Sequence, residues 1–278
     1  MSYLWVLAAL IASAGQVARN AAQTGLTQTI GTLGATQVRF LFGLPFALLF
    51  LPLVMLATGE ALPALTLRSA GFISLGAVAQ IAATALMLVT MKSRSFAVTT
   101  AWLKTEPVIV ALTAAMVLGD PLTAAALLGI LIAIAGVVLM SVKPGVGVAM
   151  WREAGPALTG IASGALFGAS AVGFRGGIIG LEEGSFLIRA TSMLALNLCL
   201  QTALLTIWLL AFNRPALTGS FRVWRSSLWV GFVGASASLF WFIGFSLTSA
   251  ANVRTLALVE VVMALAVARY VFGQKITP

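Results

Sequence analysis

Apolar residues run in long unbroken stretches along this chain, with polar residues confined to short intervals between them. A helix needs about 20 apolar residues to cross the hydrocarbon core of a bilayer. The pattern predicts nine such helices: Tyr3 to Ala22, Gly34 to Leu56, Ala70 to Met91, Phe96 to Leu118, Leu122 to Ser141, Gly155 to Ile179, Ser185 to Phe212, Ser227 to Ser249 and Asn252 to Phe272. Continuous rather than alternating apolar runs exclude a transmembrane barrel. The intervals are tight. Lys92-Ser93-Arg94-Ser95 separates two helices, and in Gly119-Asp120-Pro121 the proline opens the next one. The longest hydrophilic interval runs from Val142-Lys143-Pro144-Gly145 to Trp151-Arg152-Glu153. No interval can hold a soluble domain, so any chemistry must take place inside the helix bundle.

That longest interval also divides the chain into two similar halves. Ile11-Ala12-Ser13 recurs as Ile161-Ala162-Ser163, Arg39 has its counterpart in Arg189, and Leu67-Arg68-Ser69 recurs as Trp224-Arg225-Ser226. Trp102-Leu103-Lys104-Thr105-Glu106-Pro107 matches Leu256-Ala257-Leu258-Val259-Glu260-Val261, at the offset that also aligns Gly119 with Gly273 and Thr123 with Thr277. Matches in the same order along both halves indicate a duplication. The expected organisation is a first repeat over 1–142, a linker over 143–154 and a second repeat over 155–278. Ile276-Thr277-Pro278 aligns with the start of the fifth helix, so a tenth helix is expected after the last residue. Five helices per repeat is an odd number, which makes the second repeat enter the membrane upside down. The predicted fold is therefore an all-α polytopic membrane protein of two inverted five-helix repeats, ten helices in all, with nine in this chain. Inverted repeats underlie alternating access in many secondary transporters, whose sites lie near midplane between the repeats.

Composition agrees. Of 278 residues, 60% are hydrophobic and 8% charged, a balance no soluble surface tolerates. The net charge of +9 would suggest nucleic acid in a soluble protein, but here the basic residues mostly sit at the ends of apolar runs, where they anchor to headgroups and set topology. One cysteine and no histidine leave no disulfide, no imidazole relay and no metal cluster. No catalytic residue, metal site or cofactor is expected.

Two carboxylates stand out against this background. Glu106 and Glu260 lie inside apolar runs, where a charge costs several kcal/mol unless it is paired, protonated or hydrated. Pro107 frees the carbonyl of Leu103 and marks a flexible, hydrated point or a static kink. Glu106 and Trp102 are spaced i, i+4 on one helix face, which suits a cationic or amino-bearing substrate through charge and cation–π attraction. The competing reading gives Trp102 a packing role and pairs Glu106 with Lys104 or an arginine. Glu260 is either a protonated coupling residue, with Pro107 as its partner in gating, or the counter-ion of Arg39, Arg175 or Arg189. A ninth helix straighter than the fourth is expected, because Val261 stands where the first half has proline. Gln16, Asn20, Gln80, Ser163 and Trp241 complete the candidate substrate-binding set. In-span polar groups of this kind turn inward, where most bond a neighbouring helix. Gly160, Gly164 and Gly168 read as a close-packing stripe rather than a phosphate loop.

Thr105-Glu106-Pro107 followed by Leu118-Gly119-Asp120-Pro121-Leu122-Thr123, with the degraded copies Glu260-Val261 and Phe272-Gly273-Gln274-Lys275-Ile276-Thr277, resembles the EamA branch of the drug/metabolite transporter superfamily. The resemblance implies a central cavity lined by helices one to four and six to nine, with the fifth and tenth peripheral. It also implies transport of amino acids, amines, toxic cations or other small metabolites. Asp120 and Val261 depart from the pattern, where glutamate and proline are usual.

The expected function is a secondary active or exchange transporter of a bacterial inner membrane that exports small metabolites by alternating access. An importer of the same fold and a non-transporting membrane assembly protein are the competing readings. Its partners would be a small-molecule substrate and the lipid bilayer, with protons as a candidate coupling ion, a homodimer as a candidate assembly, and no nucleic acid. Two arguments on orientation conflict. Placing the N-terminus outside gathers Lys92, Arg94, Lys143, Arg152, Arg214, Arg222, Arg225 and Lys275 inside, as the positive-inside rule prefers. The resemblance implies a cytoplasmic N-terminus.

Overall fold

The computed structural model describes residues 3–120 and 154–274, with scattered positions between 124 and 136. Most of the expected fifth helix and all but the last residue of the linker 143–154 lie outside the described residues, as does the expected tenth helix. The described chain forms α1 (Leu4–Leu41), α2 (Leu44–Thr58), α3 (Leu67–Ser93), α4 (Phe96–Leu103), α5 (Glu106–Leu118), α6 (Ala154–Ile179), α7 (Phe186–Phe212), α8 (Arg214–Arg222), α9 (Trp224–Leu247), α10 (Ala250–Leu256) and α11 (Val259–Tyr270). Many leucines, among them Leu48, Leu49, Leu53, Leu56 and Leu67, face outward while charges are buried, the reverse of a soluble domain.

Seven apolar helical stretches are long enough to cross a bilayer, and the first, Leu4–Thr58, at 55 residues is long enough for two crossings. It folds back at Gly31, whose φ of 72° and ψ of 174° lie in a region open only to glycine. The first crossing therefore continues past the expected end at Ala22. Its polar extension stays helical because it finds partners inside the bundle. Gln23 Nε2 donates to the Ala35 carbonyl at 2.8 Å, and Thr24 Oγ1 to the Asn20 carbonyl at 2.8 Å. The second crossing runs from Thr32 through α2, with a turn at Phe42-Gly43. Between α7 and α9 the chain forms the short α8, whose Ala216 and Leu217 are buried while Arg222 at its end is exposed.

The bundle is assembled from matching contacts in the two halves. α3 lies along α6, and α1 lies along α9; these are the most extensive interfaces. Backbones approach closely there: a Cβ on Gly173 of α6 would lie 2.8 Å from the amide nitrogen of Gly76 on α3. α2 packs on α7, α4 and α5 pack on α6, and α10 and α11 lie beside α1. Phe174 and Phe242, 5.1 Å apart edge to face, fill the core between α6 and α9.

Besides the turn at Phe42-Gly43, two crossings are discontinuous among the described residues. The fourth breaks at Lys104-Thr105, where Lys104 N and Thr105 N bond the carbonyls of Ala101 and Trp102 in tight turns, and α5 restarts at Glu106-Pro107. The ninth breaks at Ala257-Leu258 and restarts one residue before Glu260. Both crossings break just ahead of their glutamate, which corrects the expectation of a ninth helix straighter than the fourth. The break in the ninth needs no proline, because the amides of Leu258, Glu260 and Val261 all take three-residue turns to Thr255, Ala257 and Leu258.

Loop contacts mark one face of the bundle. Ala64 and Glu182 exchange backbone hydrogen bonds of 3.2 Å, and Glu60 accepts from the amide and hydroxyl of Ser185 at 2.9 and 2.5 Å. Asp120 belongs to the same face, 3.8 Å from Arg175 and accepting from the Ala250 amide at 3.3 Å. At the opposite ends of the helices stand Lys92, Arg94, Arg214, Arg222 and Arg225, with no carboxylate there among the described residues.

Candidate functional site: ion pairs exchanged between two broken helices

Each break gathers a cation and an acid by the same rule. Free carbonyls at a helix C-terminus favour cations, and free amides at an N-terminus favour anions. Lys104 is the C-cap of α4, and Arg254 lies in the last turn of α10. Glu106 and Glu260 occupy the first turns of α5 and α11. The charges do not pair within their own break. α5 packs on α10 and α4 on α11, so the pairs form across the halves. Lys104 Nζ donates to Glu260 Oε2 at 2.8 Å, and Arg254 Nε lies 2.9 Å from Glu106 Oε1. All four side chains are at most 4% exposed. The first pair is a directed hydrogen bond. The second is an ionic contact in which the Nε–H is misaligned with the carboxylate.

A neutral shell holds the cluster. Gln16 of α1 donates through Nε2 to both carboxylate oxygens of Glu260, at 3.1 and 3.0 Å. Its Oε1 accepts from the indole N–H of Trp241 at 3.0 Å, which fixes the amide's orientation. The guanidinium of Arg254 sits 4.4 Å above the Trp241 ring and 5.3 Å from that of Phe245. In a water-excluded interior such cation–π contact is at its strongest.

The remaining candidates fall into place around this core. Asn20 Oδ1 accepts from Arg19 at 2.8 and 3.3 Å. Trp102 packs against α6, where a Cβ on Gly160 would meet its Cβ at 3.0 Å. The i, i+4 face expected to unite Trp102 with Glu106 is interrupted, because the helix breaks between them; Glu106 turns to Arg254 instead. Pro107 stands at the second position of α5, where its missing N–H costs nothing. Ser163 Oγ donates to the Ala83 carbonyl at 2.7 Å and ties α6 to α3. Gln80 Oε1 accepts from Gln201 at 2.8 Å, and Gln201 Oε1 accepts from Asn197, a buried amide ladder between α3 and α7. The counter-ions anticipated for Glu260 are elsewhere. Arg39 donates to Thr84 Oγ1 at 2.7 Å, Arg175 reaches the Phe245 carbonyl and Asp120, and Arg189 donates to the Glu183 carbonyl at 2.9 Å.

The sequence reading missed Arg254, Arg19 and Gln201. Arg254 lies six residues before Glu260, too far along one helix to pair with it there. Its spacing to the other repeat's acid was the informative one, since Arg254 aligns with Thr100, one turn before Lys104.

A helical bundle with seven membrane-length apolar stretches among its described residues, and with buried charges meeting between its halves, is a multi-pass membrane protein. The sequence profile of the EamA-like transporter family matches residues 2–142, and the chain belongs to that family. The match covers the first half, where the Glu-Pro break is intact. Among curated proteins, none matches the sequence. A solved structure described as "Crystal structure of protein" is similar in fold, with a TM-score of 0.62 at 16% identity, covering 98% of this chain and 90% of that chain.

Proposed function

We propose that this protein is a secondary transporter that exports small metabolites, amino acids among them, across a bacterial inner membrane, by alternating access between two inverted repeats. The observation that carries the reading is the exchange of partners. Glu106 and Arg254, and Lys104 and Glu260, join the first half of the chain to the second at the two points where membrane helices are unwound. Irregular backbone in a membrane is tolerated only where it is buried in protein or lines a cavity, and discontinuous helices are where secondary transporters place their sites. Ion pairs across that boundary are the contacts that must break or slide when the halves rock. Gln16 and Trp241 connect the same cluster to α1 and α9.

Flux in proteoliposomes tests the reading. The wild-type protein is expected to move a solute from the small-metabolite class down an imposed gradient. Glu106→Gln with Glu260→Gln is expected to abolish flux in the folded fraction that is reconstituted. A non-transporting assembly protein would lose complex stability instead, with no flux in either form. Absence of flux for every solute and gradient would remove the proposal.

A further inference from the structure

The buried charges do not balance. Among the described residues, the charged side chains buried in the bundle are Arg19, Arg39, Lys104, Arg254, Glu106 and Glu260. Four are cations and two are carboxylates, and both carboxylates are taken by Lys104 and Arg254. Among the described residues, the hydrogen-bond partners of Arg19 and Arg39 are neutral. Arg19, 1% exposed, donates Nε and one terminal nitrogen to Asn20 Oδ1, and its other terminal nitrogen has no partner. Arg39, 4% exposed, donates to Thr84 Oγ1 and lies 5.4 and 6.0 Å from the rings of Phe40 and Phe167.

The other acids are committed elsewhere. Of seven in the chain, Glu60 caps α7 at Ser185, Asp120 serves Arg175 and the Ala250 amide, and Glu182 and Glu183 are exposed. The seventh, Glu153, lies outside the described residues. The fold-back at Gly31 sets Gln23 beside Ala35, and one turn further along each arm Arg19 and Arg39 stand at the same level of the bundle. Burying like charges together is costly without an anion between them, and a guanidinium fork is the group that binds carboxylate or phosphate in two-point fashion. Room is left for the Arg19 side chain on α9, where Gly234 has no Cβ; one there would stand 3.1 Å from Arg19 Cδ.

We propose that Arg19 and Arg39 form the recognition point for an oxyanion carried by the transported solute, a carboxylate or a phosphate group. The inference rests on the transporter reading and narrows its substrate class. A solute lacking an acidic group leaves four buried cations to share two carboxylates. Glu106 and Glu260, held by Lys104 and Arg254, then serve the scaffold between the halves rather than acting as free counter-ions for a cation.

The test uses the purified full chain in detergent and in proteoliposomes, with alanine, succinate, glycerol 3-phosphate, propylamine and tetramethylammonium as probes. Thermal stabilisation and flux are expected for at least one of the first three and for neither amine. A response to alanine or succinate identifies a carboxylate, and one to glycerol 3-phosphate alone a phosphate. Arg19→Gln and Arg39→Gln are each expected to weaken oxyanion binding by about 10-fold or more. The thermal midpoint of unliganded Arg19→Gln is expected to stay level or rise, since an unpaired buried charge has been removed. If Arg19→Gln does not fold, Arg19→Lys keeps the charge without the fork and is expected to fold but bind the oxyanion more weakly. Wild-type affinity in the folded arginine variants, or binding of amines alone, overturns the inference while leaving the transporter reading intact. No binding and no flux for any probe or other metabolite overturns that reading itself.

Discussion

α4–α5 and α10–α11 interrupt two membrane crossings at matching points of the two halves of the chain, just ahead of a glutamate, yet only the first contains proline. Thr105 N and Val108 N make short bonds to Trp102 and Thr105 in one; Leu258, Glu260 and Val261 do the same in the other. Proline therefore does not cause the break in general. What both share is an acid in the first turn of the second half-helix and a cation from the opposite half of the chain. The unwound turn lets a carboxylate sit at free amides, and the exchanged cation neutralises it in a medium where an isolated charge would be costly. The two sites then differ in how well the acid is held. Glu260 receives Lys104 and two hydrogen bonds from Gln16, whereas Glu106 has one misaligned contact with Arg254.

That difference predicts an order. Glu260→Gln leaves Lys104 buried without its counter-ion and disturbs the Gln16–Trp241 bridge. Breaking a buried pair from one side costs about 3–5 kcal/mol, and Glu260→Gln is expected near the top of that range. Glu106→Gln is expected to cost less, by about 1 kcal/mol or more, because it forfeits no directed hydrogen bond. Unfolding of both variants in mixed micelles, read by denaturant midpoint, checks the order. Equal or reversed costs would show that the two breaks are held alike despite their different geometry.

How much of this was legible in the sequence depends on the distance over which each residue acts. The crossings were visible because hydropathy is local, and Glu106 and Glu260 were visible because a charge in an apolar run is anomalous wherever its partner lies. The partners were not. Lys104 was read as a neighbour for Glu106 two residues away, but it turns to Glu260, 156 positions along the chain. Arg19 did not stand out, since it lies three residues before the expected helix end at Ala22, among basic residues at the ends of apolar runs. The helix persists to Gly31, which moves Arg19 from the membrane edge to near the middle of its crossing. The polar run Gln23 to Thr29 hid that extension, since its partners, such as the Ala35 carbonyl, exist only once the chain has folded back.

The second break has Gly129 against Thr255 just ahead of it, and the first has a support of its own. The glycine stripe of α6 lies against it: a Cβ on Gly164 would stand 2.7 Å from both the Leu103 carbonyl oxygen and Thr105 Oγ1, and one on Gly168 3.2 Å from the Glu106 carbonyl oxygen. Gly164→Val should push α4–α5 away from α6 and cost about 1–3 kcal/mol by overpacking. It should also loosen the Arg254 contact with Glu106 more than the Lys104 contact with Glu260. Amide exchange around Thr105 and around Leu258, compared in the same variant, reads the two breaks separately. Equal acceleration at both would mean that they move as one unit.

Pro107→Ala makes the finest cut between the two helices, because it turns the first break into the sequence type of the second. If proline dictated the break, the variant would recover a continuous helix, with the residue 107 amide donating to Leu103 and Glu106 drawn out of its first-turn position. The proline-free break at Ala257-Leu258 argues otherwise. The neighbours that hold the first break remain in the variant: Gly164 against Leu103, Arg254 against Glu106, and the tight turns at Lys104 and Thr105. The break is expected to persist, with a stability change within about 1 kcal/mol, the scale on which proline acts through the unfolded chain. Slow amide exchange at residue 107 together with lost solute flux would reverse this conclusion and make Pro107 the element that sets the geometry of the first half alone.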